Sequence, residues 1–221
     1  MESVASDLQL LKSCYRIRSM PPQRITPLEA PYAPEVEAAL AKWMPPGSPV
    51  PPLALFRVIA RHPMLRDRMR PLASGLLAQG ELPARARELL ILRTTARCGA
   101  EYEWGIHAAA FAKGAGLSAE DVRTTAAESP TAIAARVGDD AVVLRAADEL
   151  HDRGALEDST FSELQARFGD SGMVELAVVC GFYHAIAFVI GVARIEREHW
   201  AMPMPAGAEA GADRVAREVR P

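Results

Sequence analysis

Downstream of Pro52 the chain is organised by apolar residues that recur every three or four positions, the spacing of one helix face, and the breaks fall at proline and glycine. LALFRVIARHPML reads as a helix ended by His62-Pro63, because the residue before a proline avoids the α region. LRDRMRPLASGLLAQG follows as a second helix, with Pro71 starting its main body or kinking it and Gly80 closing it. ELPARARELLILRTTARCG is the clearest helix: Pro83 falls in the first turn, where a missing N–H costs nothing, and Leu89, Leu90 and Leu92 give an apolar face. AEYEWGIHAAAFAKGAG runs on to Gly114 or Gly116, and Ser118 to Asp121 is a capping-box-like start for the next helix. DDAVVLRAADELHDRG and DSTFSELQARFG are two more, each closed by glycine, and a long apolar helix from about Ser171 completes the body. Val142-Val143 and Val178-Val179 are β-branched but lie inside helical spacing, so the expected fold class is all-α.

Proline divides the chain. Pro21, Pro22, Pro27, Pro31, Pro34, Pro45, Pro46, Pro49, Pro51 and Pro52 crowd the start, and proline blocks helix interiors. Residues 1–33 are therefore expected as an extended arm on the body, and one short helix, about Pro34 to Met44, interrupts the segment. The helical domain is expected over 34–200. The Pro-, Gly- and Ala-rich stretch 201–221 is expected as a tail, either mobile or ordered on a partner subunit.

Composition narrows the classes. The 221 residues suffice for one domain with a sizeable core, and 49% hydrophobic with 24% charged residues is ordinary for a soluble protein. The net charge of −3, with both signs interspersed, gives no basic stripe for nucleic acid and no polybasic block for a membrane surface. Cys14, Cys98 and Cys180 are too few and too scattered for a disulfide framework, which fits a cytoplasmic protein. Met173 to Ala193 is nearly long enough to span a bilayer. It carries Glu175 and His184, however, and reads better as a buried central helix.

Candidate chemistry concentrates in the middle of the chain. Glu103 and His107 are spaced i, i+4, so their side chains meet on one helix face, where a carboxylate can fix an imidazole's tautomer and raise its basicity. That pair suits general acid/base work; the plainer reading is a surface ion pair. Glu88 either enters the core with its helix or pairs with Arg85 or Arg93 at the surface. Tyr183 and His184 sit in the most apolar helix, as core residues or as walls of a ligand cavity. Cys98 and Cys180 read as inert thiols, and His62, His151 and His199 carry little signal. Glu103 and His107 could supply two metal ligands, but no third is apparent, and no metal site is expected.

The run ELPARARELLILRTTARCGAEYEWGIHAAAFAKGAGLSAEDV resembles the carboxymuconolactone decarboxylase/AhpD-like family. The shared features are R-x-x-E-L, the segment E-Y-E-W-x-x-H and the following G-x-S-x-E-D turn; with PPLALFRVIARHPML and the downstream half, the resemblance covers about Arg24 to Ala193. It implies an AhpD-like helical bundle. In the thiol-peroxidase branch an upstream glutamate, two cysteines in C-x-x-C, a relay residue and a histidine do the chemistry. Here these positions hold Glu88, Ala100 and Glu103, Tyr102, and His107. Both thiols are absent, and disulfide exchange needs an attacking and a leaving thiol.

Glu103 and His107 match the decarboxylase branch instead. The resemblance implies Glu88, Glu103 and His107 as catalytic residues, with Tyr102, Phe56, Tyr183 and His184 as substrate-binding candidates. It further implies a cofactor-independent lyase or isomerase acting on a small unsaturated carboxylic acid, lactone or related ketone, in a homo-oligomer that is a dimer or a multiple of one. Two other readings stay open: a redox protein using Cys98, alone or with Cys180, and a non-catalytic helical oligomer that binds a small ligand.

Overall fold

A computed structural model describes residues 22–45, 47–127 and 140–205. Eight helices and no strand occur among them: α1 (Pro34–Trp43), α2 (Ala54–Ile59), α3 (Pro63–Ala78), α4 (Ala84–Arg97), α5 (Glu101–Ala110), α6 (Ala119–Thr125), α7 (Ala141–Arg153) and α8 (Asp158–Ala193). The all-α expectation holds.

α4 is the centre. Every residue from Glu88 to Ala96 is buried, because α5, α6, α7 and α8 all pack on it. A helix enclosed on all sides must satisfy its polar side chains internally. Arg93 does so with a bidentate pair to Asp148 (2.7 and 3.0 Å) and bonds to the Thr125 and Ala127 carbonyls; the Thr95 hydroxyl donates to the Ile91 carbonyl. The sequence displays only one leucine face of this helix; its polar side chains are buried because neighbours close over them.

Helix ends follow local chemistry. Asp121 N–H donates to Ser118 Oγ while Asp121 Oδ2 accepts from Ser118 N–H, so the expected capping box is formed. Gly154, at φ 67°, closes α7 in the left-handed region. Gly169, at φ 65° and ψ 179°, breaks α8 between the two stretches that read as separate helices. Two helices stop short of expectation, α2 at Ile59, one turn before His62, and α5 at Ala110, before Gly114. The expected break at His62-Pro63 is present, with His62 capping α3 and Pro63 in its first turn, and Pro71 lies inside α3.

Both ends of the described chain, 22–33 and 194–205, clasp the body. In the arm, Arg24 and Ile25 N–H donate to the Ala193 carbonyl, while Arg57 donates to the Leu28 carbonyl and Arg61 to that of Thr26. After α8 the chain returns along α5. Glu198 accepts from Ala54 N–H and Tyr102 Oη–H, and Met202 N–H donates to the Gly105 carbonyl. A Cβ at position 105 would lie 2.3 Å from the Met202 carbonyl oxygen, so this approach needs glycine. Ala201 is buried, and 201–205 thus belong with the body rather than with a loose tail; 206–221 and 1–21 lie outside the described residues.

By length and composition α8 could cross a membrane. Met173, Leu176, Val179, Cys180, Tyr183 and Ile186 are buried in the core, as expected of a central helix, whereas Val174, Val178, Phe188 and Val192 are exposed.

Candidate active site

Gly99, at φ 64°, reverses the chain between α4 and α5, and Ala100 N–H donates to the Thr95 carbonyl across the turn. The return folds α5 back on α4 and brings together residues 19 apart in sequence. Glu88 Oε2 lies 2.7 Å from His107 Nδ1, and Glu103 Oε1 lies 3.5 Å from His107 Nε2. All three residues are buried, Glu88 completely. The tertiary contact to Glu88 is the short bond; the i, i+4 contact to Glu103 is longer than an ordinary hydrogen bond. The surface partners expected for Glu88 are engaged elsewhere, Arg85 with Asp140 at 2.6 Å and Arg93 with Asp148.

Burial disfavours the His107 imidazolium, but hydrogen bonding and charge attraction from Glu103 and Glu88 outweigh it and push the group up to about 9. Glu88 accepts the Nδ1 proton, leaving Nε2 as the proton-carrying atom on the Glu103 side. Glu103 Oε2 is buried without a hydrogen-bond partner among the described residues, an acceptor free to bond to something else.

Two aromatic rings enclose the imidazole. Tyr183 meets it edge-on at 5.1 Å, and Phe111, partly exposed, stacks on it at 4.7 Å. Burial and both carboxylates hold the Tyr183 hydroxyl well above its ordinary value, so it stays a proton donor. Phe111 and Arg87, whose Nε lies 3.4 Å from Glu88 Oε1, are the neighbours sequence reasoning missed. Phe111 was legible as the residue four after His107; Arg87 had no signal beyond adjacency to Glu88.

Of the four substrate-binding candidates, only Tyr183 adjoins His107. The Tyr102 hydroxyl accepts from Leu55 N–H at 3.1 Å and donates to Glu198 at 2.8 Å, tying α5 to α2 and to the returning chain. Phe56 packs on Trp43 with ring centroids 4.6 Å apart. His184 turns away towards His151. A cleft of about 480 Å³ between α1 and α3, lined by Glu35, Lys42, Trp43 and Arg66 among others, includes none of these residues.

His184 belongs to a second cluster. Its Nε2 lies 3.0 Å from His151 Nδ1, which lies 3.9 Å from Cys98 Sγ. Burial, Arg97 and His184 lower His151, and burial pushes the Cys98 thiol up to about 11. Cys98 is therefore a neutral thiol near pH 7, a poor start for thiol–disulfide chemistry.

Two solved structures share the fold. A cysteine-to-alanine variant of the debrominase Bmp8, in complex with 2,3,4-tribromopyrrole, superposes with a TM-score of 0.65 at 14% identity, covering 88% of this chain and 98% of that one. The apo form of Bmp8 superposes with a TM-score of 0.57 at 14% identity, covering 86% and 97%. No curated protein matches the chain's sequence. Residues 63–149 match the family model of the carboxymuconolactone decarboxylase family, and this segment carries Glu88, Glu103 and His107.

Proposed function

We propose that the protein is a cofactor-independent lyase or isomerase that works by general acid/base catalysis on a small unsaturated carboxylic acid, lactone or related ketone. One observation carries the reading: His107 is held, wholly buried, between two carboxylates that raise it to about 9. Near neutral pH it is an imidazolium, an acid ready to protonate carbon. Loss of carbon dioxide from such a substrate, or of an α-proton to Glu103 Oε2, leaves a dienolate. His107 Nε2–H delivers the proton to its terminal carbon, Glu88 steadies Nδ1, and Glu103 Oε2 is free to accept a hydrogen bond from the substrate. Tyr183 donates to the developing oxyanion, and Arg87 is the nearby cation for a substrate carboxylate. Phe111 is the side chain whose displacement would admit the molecule. The bromopyrrole complex of Bmp8 supports a small, flat, unsaturated ligand for this fold.

Turnover of an unsaturated γ-lactone carboxylic acid in deuterium oxide, followed by NMR, tests the proposal. Deuterium should enter the product with the parent protein and not with His107→Ala, at unchanged helical circular dichroism. Full turnover by His107→Ala overturns the proposal, and ligand binding without turnover in the parent points to a non-catalytic binding protein. The same reading places the protein in the cytoplasm as a homo-oligomer. The apolar stripe Val174, Val178, Phe188 and Val192, at helical spacing along α8, would meet a second copy of the chain.

A further inference from the structure

We propose that Cys98, His151 and His184 form a binding site for one zinc-class divalent cation, separate from the Glu88–Glu103–His107 cluster. The three ligand atoms lie within 4.8 Å of one another. Tetrahedral zinc with sulfur at about 2.3 Å and nitrogen at about 2.05 Å requires S···N near 3.6 Å and N···N near 3.4 Å. The observed 3.9 Å between Cys98 Sγ and His151 Nδ1, and 3.0 Å between the two imidazole nitrogens, each lie within about half an ångström of those values.

The outer contacts favour a ligand role. His184 Nδ1 donates to the Cys180 carbonyl at 2.8 Å, which fixes the tautomer and turns the Nε2 lone pair into the cluster. A backbone carbonyl behind a ligating histidine is the usual way its ring is oriented. Phe188 packs edge-on against the same ring. The two nearest acids are engaged elsewhere, Asp148 with Arg93 and Asp152 with Arg97, so they do not compete for the site. One thiolate and two imidazoles select zinc, cobalt or copper over magnesium or calcium, which prefer oxygen. All three residues are only partly buried, which leaves a route for entry and a fourth position for water.

Without metal, the two imidazoles can share one hydrogen bond, His151 Nδ1–H donating to His184 Nε2. On binding, the cation takes that place: His151 moves its proton to Nε2, and the Cys98 thiol releases one proton to solvent. No oxidation or reduction is involved. The three ligands come from the end of α4, the last turn of α7 and the middle of α8, the three helices that make the core, so a bound ion would tie them together.

Cobalt(II) titration of the chelator-treated full chain tests the site. One equivalent per chain should give tetrahedral d–d bands with sulfur-to-cobalt charge transfer, and zinc should bleach both. Cys98→Ser should remove the charge-transfer band, and His184→Gln and His151→Gln should each weaken binding at least tenfold at unchanged circular dichroism. Cys14→Ser should keep the full spectrum, and so should His107→Ala, which keeps this result independent of the proposed reaction. No stoichiometric cobalt spectrum, or a charge-transfer band that survives Cys98→Ser or disappears with Cys14→Ser, overturns the proposal.

Discussion

Two histidine clusters stand on the same helical core and differ in what surrounds the imidazole. Around His107 stand two carboxylates, with Arg87 close behind and aromatic rings over the faces; the group is sealed and its proton is held tightly. Around His151 and His184 there is a thiol and no free carboxylate; nitrogen faces nitrogen at 3.0 Å, and all three residues reach solvent. The same side chain is tuned for a proton in one place and for a cation in the other. Carboxylates raise an imidazole's affinity for a proton, while burial and like neighbours lower it and leave the lone pair available.

The contrast can be broken most sharply at His107. Its replacement by alanine should lower turnover by roughly 10²–10⁴-fold, the usual worth of a positioned acid or base, measured as single-turnover rate on the γ-lactone acid. Truncating Glu88 to alanine should come next in severity. It leaves His107 buried beside Glu103 alone and should cost about 3–5 kcal/mol in denaturant unfolding, as breaking a buried pair does.

The pH dependence sharpens the same point. His107 is raised from 6.5 to about 9, so its contribution to stability is full below pH 6.5 and is lost as pH rises through about 9. The parent should therefore lose on the order of 3 kcal/mol between those limits that His107→Gln does not lose, by urea unfolding at several pH values. The alkaline limb of kcat should fall near pH 9 and move to lower pH in Glu88→Gln. Smallest in effect, Phe111→Ala should open the face of His107. KM should change more than kcat, with stability lowered by about 1 kcal/mol or less because the ring is partly exposed.

The helices were legible because their signals are local. Apolar spacing marked α4 and α8, the serine–aspartate spacing marked the start of α6, and Gly154 marked the end of α7. His62-Pro63 marked the break between α2 and α3, and the same proline serves in the first turn of α3. The Glu103–His107 pair was legible from its i, i+4 spacing, yet it is the looser of the two contacts. Glu88 was ambiguous without the family resemblance, because nothing local says whether a glutamate beside three arginines faces out or in. Tyr102 was placed on the site by the family resemblance alone; its hydroxyl is instead consumed by Leu55 and Glu198, the latter 96 residues away.

By itself the sequence determined an all-helical chain, the position of most helices and a carboxylate–imidazole pair on one of them, since each depends on contacts within a few residues. Tertiary structure alone decided that Glu88 makes the short bond to His107, that the chain after α8 closes over Gly105, and that Cys98, His151 and His184 share one place. Those meetings join residues 19 to 97 positions apart, and no local propensity encodes which faces of α4, α5, α7 and α8 will pack together.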